Sequence, residues 1–564
     1  MHTQNGIELM DIQRTGLLVM LGILTYVLFL QWNTYTEDSA DRAQQTQAEL
    51  TTEVRENSSD LEIPTTESSS SVRDVQTTQS GQTISITTPV LQLTIDLKGG
   101  DVTQALLKDY PTDIDRPNDP IALLDSRDRT YVAQSGLVGQ DGPDGFESGR
   151  PIYTSAQNAY EISTEQTVVL QTTADNGLIV EKHFHIHPER YDIEVSHHIQ
   201  NTSSELRSVT PFVQIKRDNS ADPSIQNSMG MQAFLGYALR TADERYRKIS
   251  FDDFETASDA RELNAELRDA AIDGGYLALL QHYFTTAWVP SADTSHRYTF
   301  RQNNEGHNIG SIVSPDLILE PGQTASTASI LYVGPKDQDA LEALTPGLEL
   351  VVDYGWLWFI AQPLFWCLQF IHSYVGNWGV AIILVTVLVK GAFFQLSAAA
   401  YRSMAKMRKF TPEISRLREL YGDDKQRMSK EMMDLYKKEK INPLGGCLPI
   451  IVQMPVFIAL YWVLLESVEL RQAPFVLWIQ DLSAKDPFFV LPLLMGVSMY
   501  IQTSLNPTPP DPMQAKIMKW MPVAFTFFFL WFPAGLVLYW VCNNVLSIAQ
   551  QWVITRSIEK AQDA

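Results

Sequence analysis

Cysteine is scarce in this 564-residue chain: Cys367, Cys447 and Cys542 are the only three, so the first 366 residues have none. No disulfide can brace that part, and a domain there must be stable on its own burial even in an oxidising compartment. Positive charge is thin in the same region. From Asn33 to Gly355 there are 23 Lys and Arg against 50 Asp and Glu. Catalytic signatures are missing as well: there is no glycine-rich phosphate loop, no HExxH and no GxSxG. The chain is therefore read as not an enzyme, with no cofactor and no metal, and no direct DNA binding is expected.

Apolar runs and one basic island are present instead. Thr15 to Trp32 is an almost uncharged run of membrane-spanning length that ends on an interfacial Trp. No small-residue cleavage site follows it, so it reads as an uncleaved anchor. Thr34 to Gln82 is rich in Ser, Thr, Gln and Glu, with little to bury, and reads as a flexible tether. From Thr83 to about Tyr332 short alternating runs, such as "ISITTPVLQLTIDL" and "IVEKHFHIHPERYDIEVSHHI", predict a large antiparallel β-sandwich outside the membrane. His183, His185 and His187 alternate onto one strand face; with no Asp or Glu between them at ligand spacing, the face reads as solvated.

The last third carries apolar runs at 356–375, 378–396, 447–465, 488–505, 517–532 and 535–554. Tyr401 to Lys440 holds 12 basic residues against 7 acidic, and positive charge marks the cytoplasmic side. That rule is met if 356–375, broken by Gln362, Pro363, Gln369 and His372, lies in the outer interface while the other five runs cross. With the anchor this predicts six spans and both termini in the cytoplasm. Within the island, Met407, Phe410, Ile414 and Leu417 form one helical stripe, and Met428, Met432 and Leu435 another. They predict a two-helix hairpin turning at "YGDD". Met404, Met407, Met428 and Met432 either glue that hairpin or offer a pliable apolar surface to varied segments.

One lysine sits where hydrocarbon should be. Lys390 lies about 10 Å into its span at the helical rise of about 1.5 Å per residue. An ionisable residue at such depth is a candidate site whose partner must be found, although an interfacial lysine could also snorkel out. No carboxylate in the other spans offers an ion pair, since Glu466 lies at the outer edge. Thr386 on the same face, Gln453 in the next span, and Asn543, Asn544, Ser547 and Gln550 in the last predict a hydrated groove open to the cytoplasm. A secondary transporter would also place a charge in a cavity but should show internal repeats, and none is seen. An envelope scaffold would use the β-domain and leave the spans as anchors.

"DVTQALLKDYP" at 101–111, the block from Tyr401 to Ser483 containing "INPLGGCLPIIVQMPVFIALYWVLLESVELRQAPFVLWIQDLS", and "DPMQAKIMKWMPVAFTFFFLWFPAGLVLYWV" at 511–541 resemble the YidC family of bacterial membrane protein insertases. The resemblance implies a polytopic α-helical inner-membrane protein, six spans with a five-span core, bearing a large periplasmic all-β supersandwich. Its implied task is inserting and folding transmembrane segments of newly made proteins, alone or with the Sec translocon. Implied partners are nascent membrane proteins, lipids, and the ribosome or signal recognition machinery at the hairpin.

The same resemblance sets Phe457, Met495, Phe528 and Trp540 along the groove and its apolar slide, with Trp531 nearby. The family usually has arginine at the Lys390 position, and many relatives carry a basic tail where this chain has "RSIEKAQDA". The expected division is an anchor at 1–33, an acidic linker at 34–82, the periplasmic domain at 83–345 and an interfacial helix at 346–376. The second span follows at 377–397, the cytoplasmic hairpin at 398–445, the third span at 446–466 and a periplasmic loop at 467–487. Then come the fourth span at 488–505, a cytoplasmic loop at 506–515, the fifth and sixth spans at 516–532 and 533–556, and a tail at 557–564.

Overall fold

The computed structural model describes residues 82–222, 234–268, 272–421, 424–438, 448–505 and 512–563. The anchor at 1–33, and the linker apart from Gln82, lie outside these residues.

Strand alternation builds the first domain. In Leu178–Ile186 the even-numbered residues Leu178, Val180, Phe184 and Ile186 are buried, while Glu181, His183 and His185 face outward. Two sheets result. The larger runs Ile272–Asp273, Ser295–Gln302, Asn308–Val313, Arg207–Arg217, Tyr131–Val138, Asp101–Asp113, Leu91–Asp96, Thr83–Thr87, Ala159–Glu161, with Leu317–Leu319 and Arg116–Leu124 as side branches. The smaller runs Arg247–Ile249, Gly236–Leu239, Leu277–Leu280, Phe284–Pro290, Thr324–Pro335, Asp192–Asn201, Leu178–Ile186, Gln166–Thr173, Thr154–Ser155. Ile84, Leu93 and Ile215 of one sheet meet Val168, Phe184 and Trp288 of the other in a shared core. One pairing departs from the antiparallel expectation: the edge segment Ala159–Glu161 runs parallel to Thr83–Thr87, which a long returning connection permits.

Helices α1 (Ala257–Arg268) and α2 (Gln338–Leu344) belong to this domain. The helical part follows as α3 (Trp358–Val375), α4 (Trp378–Ala392), α5 (Phe394–Lys409), α6 (Thr411–Tyr421) and α7 (Lys425–Lys438). It continues with α8 (Leu448–Glu466), α9 (Val490–Leu505), α10 (Pro512–Phe528) and α11 (Ala534–Asp563). The α3–α4 corner is written locally. Gly376 takes the left-handed conformation, its N–H donating to His372 O at 2.8 Å, and the Asn377 side chain then caps α4 by accepting from Val380 N at 3.0 Å. Trp358, Trp366, Phe370 and Tyr374 remain exposed along α3, as does Trp356 in the 3-10 turn just before it.

The expected span count is not met by single helices, and two expected segment bounds differ from the elements seen. Among the described residues no single helix is long and apolar enough to cross a membrane. Trp378–Ala392 with Phe394–Ser403 meets the length and composition only as a pair bent by 64°, and Val452–Glu466 and Val490–Leu505 are shorter apolar helices. The bend falls just after Gly391, which costs about 1 kcal/mol in a helix relative to alanine. The segment expected as a cytoplasmic hairpin holds three helices among the described residues, because α5 starts inside the expected span; α6 and α7 lie against each other. Finally, 557–563, expected as a separate tail, continues α11 as helix.

The two parts meet at the end of α8. Glu466, its last residue, pairs with Lys336 at 3.4 Å, and both side chains are about 95% buried (3% and 5% exposed). His282 Nε2 lies 2.9 Å from Leu465 O, Val468 joins the sandwich core, and Arg471 Nη2 donates to Pro111 O at 2.7 Å. Burial, then the nearby Asp337 and Asp339, push the Glu469 carboxyl up from 4.5 to about 7. Between those two values the folded chain keeps a proton that the unfolded chain has lost, so Glu469 makes stability fall as pH rises from 4.5 to about 7. Glu469→Gln is expected to raise the melting temperature of the full chain by a few degrees at pH 8 and to leave it unchanged at pH 4. Equal shifts at both pH values would contradict this.

Candidate functional site

Lys390 occupies the last turn of α4, where a cation is favoured by the helix dipole. Its ammonium donates to Gln453 Oε1 of α8 at 3.2 Å and to Ser547 Oγ of α11 at 2.7 Å. Ser547 is free to accept because its own proton goes to Asn543 O at 2.7 Å. The site therefore draws on three helices that are far apart in sequence. A lysine has three donors, and two have acceptors among the described residues. No carboxylate of the described residues lies within ion-pair distance of Lys390. Gln453 Nε2 is buried with no hydrogen-bond partner. The groups left over at this point are thus donors plus one positive charge, which suits carboxylates and chain carbonyls and disfavours cations.

The other expected residues divide. Thr386 is buried and its hydroxyl donates to Ile382 O at 2.6 Å, so it serves its own helix rather than the lysine. Asn543 is half-buried and contributes its carbonyl. Asn544 turns the other way, donating to Ser498 Oγ of α9 at 3.0 Å, and Gln550 Nε2 reaches Phe394 O at 3.2 Å.

Above the lysine stands an aromatic wall. Trp540 meets Phe457 edge-on at 4.6 Å, Phe529 at 5.1 Å and Phe525 at 6.2 Å, and Phe457 stacks near Tyr539 at 6.0 Å. These rings join α8, α10 and α11. Trp531 is half-buried against Phe527 at 4.9 Å. Met495 is wholly buried among the helices and presents no surface, contrary to the expectation that it lines the slide. Phe528 is 57% exposed and continues a stripe of Ile517, Trp520, Val523 and Phe527 along one side of α10. The periodicity of "IMKWMPVAFTFF" carried that stripe in the sequence, although only Phe528 was singled out. On the hairpin Met428 and Met432 are partly buried, while the side chains of Met404 and Met407 lie outside what is described.

Two family models match the chain. One, described as the YidC periplasmic domain, covers residues 83–367, and the other, the 60Kd inner membrane protein, covers 370–561. Membrane protein insertase YidC of Pseudomonas putida is 51% identical over 98% of this chain and 99% of its own length. That of Azotobacter vinelandii is 50% identical with the same coverage. A solved YidC insertase with its first transmembrane domain resolved aligns over 84% of this chain and 92% of its own, with 18% identity and a TM-score of 0.37.

Proposed function

The chain belongs to the YidC family of membrane protein insertases and inserts membrane proteins into the inner membrane, and from that premise we propose that it does so through the Lys390 site, with α10 and α8 as the exit path. The observation that carries this is the ammonium held by Gln453 and Ser547 with no carboxylate of the described residues beside it. A polar or acidic flank of the incoming chain enters from the cytoplasm and exchanges water for these donors. Moving the flank through the remaining apolar layer is opposed by about 2.5–3.5 kcal/mol or more per charge. Burial of the client's apolar span in lipid drives the step, each CH₂ contributing about 0.8 kcal/mol. The exposed stripe of α10 and Met454 of α8 guide that span outward.

The topology we propose has six spans, formed by residues 1–33, α4 running into α5, and α8 to α11, with both termini cytoplasmic. The exposed aromatics of α3 rest in the outer interface. Helices α6 and α7 face the cytoplasm and receive clients from the ribosome, the signal recognition machinery or the Sec translocon, with their basic residues near lipid headgroups. Site-directed photo-crosslinking tests the path. A crosslinker at Gln453, Trp520 or Phe528 is expected to capture a stalled nascent chain in high yield, whereas one at the buried Met495 captures none. Capture from Met495 equal to that from Phe528 would overturn the path.

A further inference from the structure

Beyond the insertase site, we infer that the outer face of the smaller sheet carries a binding site for a divalent transition metal of the Zn²⁺ class, with Glu165, His185 and His187 as ligands. His185 and His187 stand two apart at the end of one strand, and so point to the same side. Glu165 immediately precedes the neighbouring strand Gln166–Thr173, whose Thr167 is directly opposite His185. This register brings Glu165 Oε1 to 2.8 Å from His185 Nε2 and Oε2 to 3.5 Å from His187 Nδ1. One ligand atom from each of the three residues falls within 4.8 Å of the others. With metal–ligand bonds of about 2.0–2.1 Å, neighbouring ligand atoms stand about 2.9–3.4 Å apart, so little movement closes the set around an ion.

The remaining features fit the same reading. Thr167 Oγ1 lies 3.0 Å from His185 Nδ1 and fixes the ring so that Nε2 faces the carboxylate, the arrangement by which an outer partner orients a ligating imidazole. Two imidazoles with one carboxylate select a borderline ion over Ca²⁺ or Mg²⁺. Side-chain exposures of 57%, 33% and 32% for Glu165, His185 and His187 leave room for water or an incoming side chain as a further ligand. The adjacent His183 is engaged elsewhere, with Glu181 at 3.1 Å and the His198 ring at 4.2 Å, and stands outside the triad.

The test uses the tag-free full chain in lipid nanodiscs, titrated with Zn²⁺ against a chromophoric chelator and with Co²⁺ as a spectroscopic probe. One equivalent is expected to bind, with a Co²⁺ visible band. His185→Ala, His187→Ala and Glu165→Gln should each weaken Zn²⁺ by tenfold or more, and Thr167→Val by about tenfold. His183→Ala should leave the affinity within about twofold, a comparison that separates this triad from generic histidine binding. Because the ligands are on the surface, the variants keep the melting temperature of the metal-free chain. Absence of binding at millimolar Zn²⁺, or affinity unchanged in His185→Ala and His187→Ala, would overturn the inference.

Discussion

Lys390→Ala is expected to lower insertion of a client with an acidic translocated flank by about tenfold or more, while Lys390→Arg inserts it as the unaltered chain does. Two unit charges 4 Å apart interact by about 4 kcal/mol at an effective dielectric of 20, and a third of that, in a wet groove, is already about tenfold. Arginine keeps the charge and finds the same two acceptors, Gln453 Oε1 and Ser547 Oγ. A client with an uncharged flank should lose far less with alanine, which separates electrostatic attraction from general damage. Protease protection of a reporter in cells depleted of their own insertase reads the outcome. Equal insertion of the acidic-flank client by all three proteins would remove Lys390 from the mechanism.

The other large effect is on stability. Removing one partner of a buried ion pair leaves the second charge without compensation and costs about 3–5 kcal/mol, whereas replacing both by apolar groups is often neutral. Lys336→Met is therefore expected to lower the melting temperature of the full chain sharply, and Lys336→Met with Glu466→Leu to restore most of it. Thermal unfolding in detergent distinguishes the two, and equal losses would show that the pair is not acting as a unit. The same pair bears on removal of the β-domain. Such a deletion strands Glu466 at the end of α8, so a shortened chain should insert clients better when it also carries Glu466→Gln. Insertion persisting in that chain separates an insertase from a scaffold that works through its sandwich.

What could be read from the sequence follows from what a pattern encodes. Period-two alternation assigns residues to strand faces, so the sandwich and the outward His183, His185 and His187 were legible. It says nothing of which strand lies alongside, and Glu165, 20 residues from His185, was invisible as a neighbour. Alternation also predicts a polar residue at position 182 to be a misfit, yet Lys182 faces inward and is satisfied by Gly99 O and Ser135 O at 3.0 and 3.1 Å. Isolated charge in an apolar run pointed to Lys390, and the polar residues of the neighbouring runs supplied Gln453 and Ser547. Spacing alone misplaced Thr386, because a hydroxyl in a helix can turn back to the carbonyl four residues earlier. The Lys336–Glu466 pair joins positions 130 apart and left no local trace.

A floor whose spare groups are donors around one positive charge would behave as a rectifier for protein topology. If clients pass Lys390 as proposed, segments rich in aspartate or glutamate would be drawn in, while loops studded with lysine and arginine would meet repulsion and stay on the side where they were made. The cationic bias of cytoplasmic loops would then be enforced during assembly, by the machine as well as by the membrane.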